Sequence, residues 1–249
     1  MLLRDKVAVI SGGAGLRGIG LGTARLFAAH GARIAILDLN EEASVRAAAS
    51  LGAGHLGLAC DVTRKEDCER AITQAIDRLG HIDILINNAG ITQPLKVMEI
   101  EPANWDAVLD VNLRGVLYLS QAVIPHMRSR RNGSIACTSS ISAQRGGGIF
   151  GGAHYSASKA GVLGLAKNMA RELAPDGIRV NCVTPGLIQT DITGDKLTAV
   201  MKEEITKGIP LGRLGTVGDV AGVFLFLASD LAAYVTGAVI DVNGGMLIH

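Results

Sequence analysis

A short apolar run that leads into a glycine-rich turn is the feature that most constrains the fold of this chain. Residues 7–10 have the continuous apolar character of a strand buried on both faces, and residues 11–20 read Ser-Gly-Gly-Ala-Gly-Leu-Arg-Gly-Ile-Gly. A helical pattern follows and ends at Gly31, and a second apolar run over residues 33–37 is closed by Asp38. This order of strand, glycine-rich turn, helix and strand predicts a βαβ unit with parallel strands.

The glycine-rich turn has the composition of a dinucleotide-binding turn. Glycines such as Gly12, Gly18 and Gly20 allow the backbone to approach a pyrophosphate, whose charge is favourable at the N-terminus of the following helix. Asp38 follows Gly20 by 18 residues, where its carboxylate would accept hydrogen bonds from the adenosine ribose hydroxyls. A glycine-rich segment alone is also typical of a flexible turn, so the prediction depends on the strand, the helix and the acid around it.

The alternation of strand and helix patterns continues to the end of the chain. Helix patterns cover residues 41–50, 64–79, 103–129, 154–174, 195–206 and 217–228, and strand patterns cover 55–59, 83–86, 134–138, 179–183 and 238–242. Strands that alternate with helices predict a parallel sheet with right-handed crossovers. We therefore expect an α/β fold, a single-domain Rossmann-type doubly wound parallel sheet with helices on both faces, over residues 1–249.

Length and composition fit this single domain and exclude several classes of function. No Pro/Gly/Ser-rich linker or charge run divides the 249 residues, and a formal net charge of +1 gives no reason to expect nucleic acid or an anionic membrane as a partner. The four cysteines lack the spacing of a zinc site, so we expect reduced thiols and no metal. Without a signal-peptide pattern or a run of 18 apolar residues, we expect a soluble, cytoplasmic protein.

Tyr155 and Lys159 form the pair with the clearest catalytic potential. They stand four apart at the start of the helical pattern over 154–174, so their side chains share one face. A free tyrosine has a pKa of about 10, and a nearby ammonium group would lower it by stabilising the phenolate. The phenol could then exchange a proton with an alcohol or a carbonyl near neutral pH. Read alone, the same spacing also fits an interface tyrosine with a solvated lysine one turn away.

Polar residues and glycines follow the predicted strands at the sheet edge where doubly wound folds bind ligands. They are Gly12 to Gly20, Asp38, Asp61, Asn87 to Gly90, Ser140, and Pro185-Gly186. Turn-type residues end the strands of any parallel sheet, but the chemical variety of this set near Tyr155 and Lys159 favours a binding site. We expect the substrate contacts to come from three loops, residues 92–98, 142–154 and 187–209.

Taken together, these motifs resemble those of the classical short-chain dehydrogenase/reductase family over nearly the whole chain. The resemblance rests on the glycine-rich turn, Asp61, Asn87-Asn88-Ala89-Gly90, Asn112, Ser140, Tyr155-x-x-x-Lys159, Asn181-x-x-x-Pro185-Gly186, and the ending from Gly237 to Gly245. It implies NAD or NADP as the cofactor, a small-molecule alcohol or ketone as the substrate, and assembly into a homotetramer.

The resemblance also implies roles for individual residues. Tyr155 would be the general acid or base, Lys159 would hold the nicotinamide ribose, and Ser140 would bond the substrate oxygen. Asn112 would help to hold a water that relays protons, although read alone it is a solvated helix residue. The implied cofactor-binding residues are Gly12, Arg17, Gly18, Ile19, Gly20, Asp38, Leu39, Asp61, Val62, Asn88, Ala89, Gly90, Tyr155, Lys159, Pro185, Gly186, Ile188 and Thr190, and the implied substrate-binding residues are Ser140, Ser142 and Tyr155. For His154 we expect a packing or surface role.

The glycine-rich turn departs from the family pattern in its length. The family has three residues between Thr-Gly and Gly-x-Gly, whereas five residues, 13–17, separate Gly12 from Gly18 in this chain. The sequence therefore leaves open which of these five residues faces the phosphates.

The position of the catalytic serine is a second departure. In the family this serine stands thirteen residues before the tyrosine, a count that selects Ser142, while the strand-end pattern counted from Gly133 selects Ser140. We predict Ser140, with a two-residue insertion in the loop 146–152, because a strand end fixes a side chain better than a loop does.

The sequence gives mixed signals on the choice between NAD and NADP. The carboxylate of Asp38 would face a 2′-phosphate, and two like charges ~4 Å apart repel by ~4 kcal/mol at an effective dielectric of ~20. Arg17 indicates the opposite, because related NADP enzymes pair the phosphate with an arginine at the matching place. None of the four residues directly after Asp38, which are Leu39-Asn40-Glu41-Glu42, is basic. We predict NAD, with NADP as the alternative.

These inferences predict an oxidoreductase that transfers a hydride between a nicotinamide cofactor and a secondary alcohol or ketone, such as a polyol, a sugar alcohol or a hydroxyacid. An NADPH-dependent 3-oxoacyl thioester reductase shares the same motifs and is an alternative. A non-catalytic dinucleotide-binding regulator is an alternative of another class, against which the intact Ser140, Tyr155 and Lys159 argue.

Overall fold

A computed structural model describes residues 1–190 and 197–249, and these residues build a parallel sheet of seven strands. The strands are β1 (Val7–Ser11), β2 (Arg33–Asp38), β3 (Leu56–Ala59), β4 (Ile84–Asn87), β5 (Gly133–Thr138), β6 (Ile178–Pro185) and β7 (Val239–Val242). Their order across the sheet is β3-β2-β1-β4-β5-β6-β7, and every neighbouring pair is parallel. The predicted fold class, a single-domain Rossmann-type sheet, is confirmed.

Helices cover both faces of this sheet. They are α1 (Ile19–Ala29), α2 (Glu41–Ala49), α3 (Lys65–Leu79), α4 (Pro102–Leu109), α5 (Gly115–Arg130), α6 (Ser142–Arg145), α7 (Ala153–Leu173), α8 (Ala199–Lys207) and α9 (Val217–Ala228). Successive strand residues point to opposite faces, so Val7 and Val9 join a core with α3, α5 and α7, while Ala8 and Ile10 join a core with α1, α2 and α9. Burial on both faces explains why each strand is continuously apolar in sequence.

The long helix predicted over 103–129 is interrupted in its middle. Asp110–Arg114 forms a π-helical turn between α4 and α5, and Asn112 lies within it. The periodicity of apolar residues cannot reveal a single wider turn within a helix, because the apolar pattern on both sides of the turn still has a helical period. Turns of this kind occur frequently at functional sites, and this one places the Asn112 side chain in the interior.

The segment Pro102–Arg130 is long and apolar enough to cross a membrane by length and composition alone, with a mean hydropathy of 1.3 in its most apolar window. One side of its second half packs into the core that contains α3 and α7. The residues on this side are Val116, Leu119, Val123 and Met127, and each is at most 4% exposed. Packing against this core therefore accounts for the apolar character of this side of the helix.

The helix predicted over 195–206 corresponds to α8, Ala199–Lys207, whose first turn is capped by Thr198 through a hydrogen bond from the Met201 amide. Residues 195 and 196 lie outside the described part of the chain, as does the stretch 191–196 of the predicted substrate loop at 187–209. The described parts of this loop include an isolated bridge between Ile188 and Gly215.

The order of the strands reverses between β1 and β4, which pair with each other while β1 also pairs with β2. In doubly wound folds ligands bind beyond the carboxyl ends of the strands at such a reversal. The turns after β1 and β4 approach closely here, since a Cβ atom on Gly12 would lie 2.7 Å from the Cα of Ala89. Gly12 also has a φ of 63°, a conformation that glycine adopts without strain.

Candidate active site

A cavity of about 1040 Å³ opens at the carboxyl edge of the sheet. Its wall runs from Asp38 and Asp61 at one end, past the ends of β1 and β4, to Ser140, Tyr155 and Lys159. Beyond these residues the wall continues along the loop after α6 and along α8. The strand ends that the sequence singled out therefore meet in one site.

Most of the residues predicted to bind the cofactor line this cavity. Those that line it are Gly12, Gly18, Ile19, Asp38, Leu39, Asp61, Val62, Asn88, Ala89, Gly90, Tyr155, Lys159, Pro185, Gly186, Ile188 and Thr190. Arg17 and Gly20 are not part of its wall. Gly20 instead allows α1 to pack against the turn, because a Cβ atom there would lie 2.5 Å from the carbonyl oxygen of Gly12.

The longer glycine-rich turn is held by Asp38. The amide of Ala14 donates to Oδ2 of Asp38 at 3.1 Å, and the amide of Leu39 donates to Oδ1 at 2.9 Å. Of the five residues 13–17, only Ala14 and Gly15 line the cavity, while Leu16 and Arg17 are exposed. Of the lengthened turn, these two small residues face the cavity.

The adenosine half of the cavity fits a dinucleotide. Helix α1 begins at Gly18 without a side-chain cap, so the first amide groups of the helix are available to an anion. Gly12 and Gly18 carry no side chain where a pyrophosphate would approach, and Asp38 stands beside them with carboxylate lone pairs to spare. Asp61 uses Oδ1 to accept from the amide and the hydroxyl of Thr63, which is ordinary turn chemistry, and it still lines the cavity.

Helix α7 and the end of β5 bring together Ser140, Tyr155 and Lys159, three of the four predicted catalytic residues. The Ser140 hydroxyl hydrogen-bonds the Tyr155 phenol and also accepts from the Ser142 amide at 3.1 Å. Nζ of Lys159 lies 5.9 Å from the centre of the Tyr155 ring and donates to the Thr138 carbonyl at 2.8 Å. The predicted set thus forms one cluster at the centre of the cavity wall.

The titration of this cluster differs from the sequence-based expectation that Lys159 lowers the pKa of Tyr155. Burial raises the pKa of Tyr155, and the hydrogen bond with Ser140 opposes it only in part. Burial also lowers the pKa of Lys159 to about 8. The reason for the difference is that the ammonium is itself desolvated and donates to the Thr138 carbonyl rather than to the phenol.

The two candidate serines occupy different positions in this cluster. Both are 8% exposed and both line the cavity. Ser140 carries the hydrogen bond to the phenol, whereas Ser142 is the first residue of α6 and reaches Ser140 through its amide. The geometry favours Ser140 as the partner of Tyr155.

Asn112 is fully buried behind the cavity wall rather than solvated on a helix face. Its Oδ1 accepts from the Ile91 amide at 2.8 Å, and its Nδ2 donates to the Ile91 carbonyl at 2.9 Å and to the Ser158 hydroxyl at 3.1 Å. A Cβ atom on Gly90 would lie 3.2 Å from Oδ1 of Asn112 and 3.4 Å from Nζ of Lys159. Asn112 and Lys159 therefore lie on the same side of Gly90.

The far end of the cavity contains residues that the motifs did not identify. The apolar residues of this substrate half are Ile91, Ile141, Ile149, Phe150, Leu187, Ile205 and Met246. Four of the seven fall in the three predicted loops, but Ile91, Ile141 and Met246 do not, and no periodic or motif signal marks Met246 near the end of the chain. Among residues 1–190 and 197–249, no three side chains of metal-ligating type come together.

Comparison with known proteins agrees with the fold and the site. The profile of the family described as enoyl-(acyl carrier protein) reductase matches residues 12–247. An uncharacterised short-chain type dehydrogenase/reductase of Sinorhizobium fredii is 64% identical over the whole of both chains. The 3-oxoacyl-[acyl-carrier-protein] reductases of Thermotoga maritima and Escherichia coli are 42% and 39% identical over 100% and 99% of each chain.

This chain belongs to the classical short-chain dehydrogenase/reductase family. As a member of this oxidoreductase family, it is expected to work with a nicotinamide cofactor. The position of its glycine-rich turn at the reversal of strand order, with Tyr155 and Lys159 on one helix face across the cavity, is the arrangement that such a cofactor requires.

Proposed function

We propose that this short-chain dehydrogenase/reductase is an NAD-dependent enzyme that interconverts a secondary alcohol and a ketone, with Tyr155 as its general acid and base. The contact between Ser140 and Tyr155 beside Lys159, in the middle of a cavity that fits a dinucleotide, is the observation that carries this proposal. The cofactor would accept or supply the hydride. The protein would bind the carbonyl or alcohol oxygen and move the proton.

In the proposed reaction, oxidation moves a hydride from the alcohol carbon to the nicotinamide ring and the hydroxyl proton to Tyr155. Ser140 would donate a hydrogen bond to the substrate oxygen as charge develops there. In the direction of reduction, the raised pKa of Tyr155 keeps the phenol protonated at neutral pH and ready to donate. Lys159 and Asn112, which lie together beside Gly90, would support the ribose and the return of the proton to solvent.

NAD is favoured over NADP because of the way in which Asp38 is held. Both of its carboxylate oxygens accept from backbone amides, so the side chain cannot turn away from a 2′-phosphate. Glu41 and Glu42 in the first turn of α2 add negative charge nearby, while Arg17 stands in the turn as the opposing signal. We expect a preference for NAD of about 1–3 kcal/mol, or roughly 5- to 150-fold.

The substrate half of the cavity supports a substrate with an apolar arm rather than a polyol. Phe150, Leu187, Ile205 and Met246 pack around an apolar cluster there, and hydroxyl groups buried against them without partners would cost about 1–3 kcal/mol each. Arg145 is exposed at the rim and makes no ion pair within residues 1–190 and 197–249. A hydroxyacid or ketoacid with a short apolar chain matches both features.

A 3-oxoacyl thioester reductase is a second candidate. The same apolar wall would accept an acyl chain, and relatives at about 40% identity carry the name 3-oxoacyl-[acyl-carrier-protein] reductase. The fixed Asp38 carboxylate argues against the NADPH that this reading implies. A regulator without turnover is disfavoured, because Ser140 bonds the Tyr155 phenol and Nζ of Lys159 lies 5.9 Å from the centre of the Tyr155 ring.

A cytoplasmic homotetramer without nucleic-acid or membrane partners completes the proposal. Trp105 on α4 is 42% exposed, and Leu231 and Tyr234 beside the edge strand β7 are at least 67% exposed. Exposed apolar residues on α4 and next to an unpaired sheet edge support contacts between identical subunits. Most soluble oligomers of identical chains are closed assemblies, and two-fold symmetry is the commonest kind.

The experiment that tests the proposed function is steady-state kinetics with both cofactors. Absorbance at the reduced-nicotinamide band is followed with 3-hydroxy acids, 3-oxo acids, polyols and a 3-oxoacyl thioester. We expect the highest kcat/KM with NAD and a hydroxyacid. A higher kcat/KM with NADP would refute the cofactor assignment, a preference for the thioester would select the second candidate, and absence of turnover with bound cofactor would leave only the regulator.

A further inference from the structure

The first turn of α7 carries Tyr155 but lacks a cap of its own. The helix begins after Gly152, which cannot provide a side-chain hydrogen bond to the first amide groups. The ends of helices are where backbone groups are unpaired and where local opening concentrates. A side chain that must be held in place for proton transfer therefore lies in the least secured turn of its helix.

Contacts from the loop after β4 take the place of the missing cap. The Gly152 amide donates to the Gln93 carbonyl at 2.9 Å. Nε2 of His154 and Oε1 of Gln93 are 3.1 Å apart. The hydroxyl group of Thr92 donates a hydrogen bond to the Phe150 carbonyl. Both the backbone and the side chain of Gln93 thus bind residues on either side of the helix start, although Gln93 and His154 are 61 positions apart.

His154 is built into the structure in a way that a packing residue does not require. Its side chain is fully buried. Because the amide oxygen of Gln93 can only accept, Nε2 of His154 carries a proton in this contact. Burial lowers the pKa of His154, which favours the neutral imidazole, and Nδ1 has no hydrogen-bond partner in the described part of the chain. Burial of an unpaired polar atom such as Nδ1 is unfavourable. The His154 ring, and with it the contact between Nε2 and Gln93, is therefore buried at a cost in stability.

The contact also leaves no room for another residue at the helix start. A Cβ atom on Gly152 would lie 2.9 Å from Nδ1 of His154 and would collide with the Leu95 carbonyl. The Gly152 backbone is therefore enclosed between the Gln93 loop and the His154 ring. Thr92 and Gly151, the neighbours of the contact on each side, both line the cavity.

We propose that Gln93 and His154 are positioning residues for Tyr155, which together hold the first turn of α7 against the loop after β4 and so fix the phenol relative to Ser140. This inference rests on the proposed function of Tyr155. Proton transfer is sensitive to displacements of about 1 Å, which can cost ~100-fold in rate. Neither side chain touches the reacting atoms, and their effect passes through the position of the phenol.

The test compares Gln93→Leu, His154→Leu, the double variant and the exchange variant Gln93→His/His154→Gln. The matched control is His55→Leu. Like His154, His55 makes a long-range hydrogen bond, here accepting from the Ile34 amide at 3.1 Å, but it precedes β3 at the opposite edge of the sheet. For each protein we measure kcat, KM, the NAD dissociation constant, thermal unfolding, and hydrogen exchange of the amides in residues 153–158.

We expect each leucine variant of the pair to lose at least ~10-fold in kcat while NAD binding changes by less than ~3-fold. The double variant should lose no more than either single variant, because the two residues act through one contact. The exchange variant should recover part of the lost kcat. Amides of residues 153–158 should exchange faster in Gln93→Leu and His154→Leu than in wild type. His55→Leu should lose thermal stability without a change in kcat or in the exchange of these amides.

Unchanged kcat in both leucine variants, or losses that multiply in the double variant, would overturn the inference. Loss of stability to the same degree as in the control, with unchanged exchange at residues 153–158, would also overturn it. If His154→Leu does not fold, Gln93→Leu on the surface-facing loop carries the test. If the wild type itself turns over no alcohol or ketone, the proposed function fails, while the exchange measurement still decides whether the contact secures the helix start.

Discussion

Lys159 shows at the scale of one residue how the site trades stability for chemistry. Its side chain is 3% exposed, and burial lowers its pKa from 10.5 to about 8. Between these two pH values the unfolded chain binds more protons than the folded chain, so the free energy of unfolding rises with pH across this window. A shift of this size corresponds to a penalty of about 3 kcal/mol at neutral pH.

Replacement of Lys159 by methionine should reveal this penalty. Lys159→Met keeps an unbranched apolar stem and removes the buried charge, at the cost of one hydrogen bond to the Thr138 carbonyl. The free energy of unfolding of Lys159→Met minus that of wild type should be higher at pH 7 than at pH 10 by about 3 kcal/mol. The reason is that only the wild type gains stability as its buried lysine loses the proton. Urea unfolding at both pH values measures the difference, and a constant difference would contradict a buried ammonium.

The choice between the two serines is also decided at the residue scale. Ser140→Ala should lose activity by a factor of ~100 or more, as for the loss of one hydrogen-bond donor to a developing oxyanion. Ser142→Ala should lose much less, because Ser142 reaches the cluster only through its backbone amide. Side-by-side kinetics of the two variants provide the measurement and its own control. A larger loss in Ser142→Ala would show that the residue count, and not the strand end, identifies the serine.

At the scale of elements, the lengthened turn between β1 and α1 depends on an acid from β2. Asp38 has two separable properties, since it fixes Ala14 by a hydrogen bond and carries a negative charge where we propose that the cofactor ribose binds. Asp38→Asn keeps an acceptor oxygen for the Ala14 amide and removes the charge, whereas Asp38→Ala removes both. The pair of variants therefore separates turn geometry from electrostatics.

We expect Asp38→Asn to narrow the preference for NAD over NADP while NAD binding weakens only modestly. Asp38→Ala should narrow the preference as well and should weaken the binding of both cofactors, because the turn loses its anchor. Calorimetric titration of each variant with NAD and NADP checks this. Equal affinities of the alanine and asparagine variants for NAD would show that the Ala14 contact does not matter for binding.

The elements also show what the sequence could and could not predict. The strands were predictable because burial on both faces makes each one continuously apolar, and the strand ends located Gly12, Asp38 and Ser140 near one edge of the sheet. The π-helical turn around Asn112 was not predictable, because its apolar pattern is that of an ordinary helix. The anchoring of Ala14 by Asp38, 24 positions away, depends on contacts that no local pattern contains.

The titration of the site could not be predicted from spacing either. A separation of four residues placed Lys159 near Tyr155 correctly, but spacing carries no information on burial. Burial raises the pKa of the phenol and lowers that of the ammonium, so desolvation sets the direction of both shifts. Only the packed structure, in which Lys159 donates to the Thr138 carbonyl, gives the direction of both shifts.

At the scale of the whole molecule, the proposed assembly makes a simple prediction. Four chains of 25.8 kDa should associate, with α4, α5 and α7 pairing across one interface and the region of β7 across another. Multi-angle light scattering at micromolar concentration measures the mass directly. A monomeric mass would contradict the assembly and would leave the exposed Trp105, Leu231 and Tyr234 without a function.

The central claim is that the Tyr155 phenol transfers the proton while the rest of the molecule binds and orients the cofactor and the substrate. Comparison of wild type with Tyr155→Phe tests it most directly, since the change removes only the phenolic hydroxyl. The account predicts that NAD binding and thermal unfolding stay close to wild type while turnover of the best substrate falls by at least ~100-fold. Turnover near the wild-type rate in Tyr155→Phe, with the cofactor bound, would contradict it.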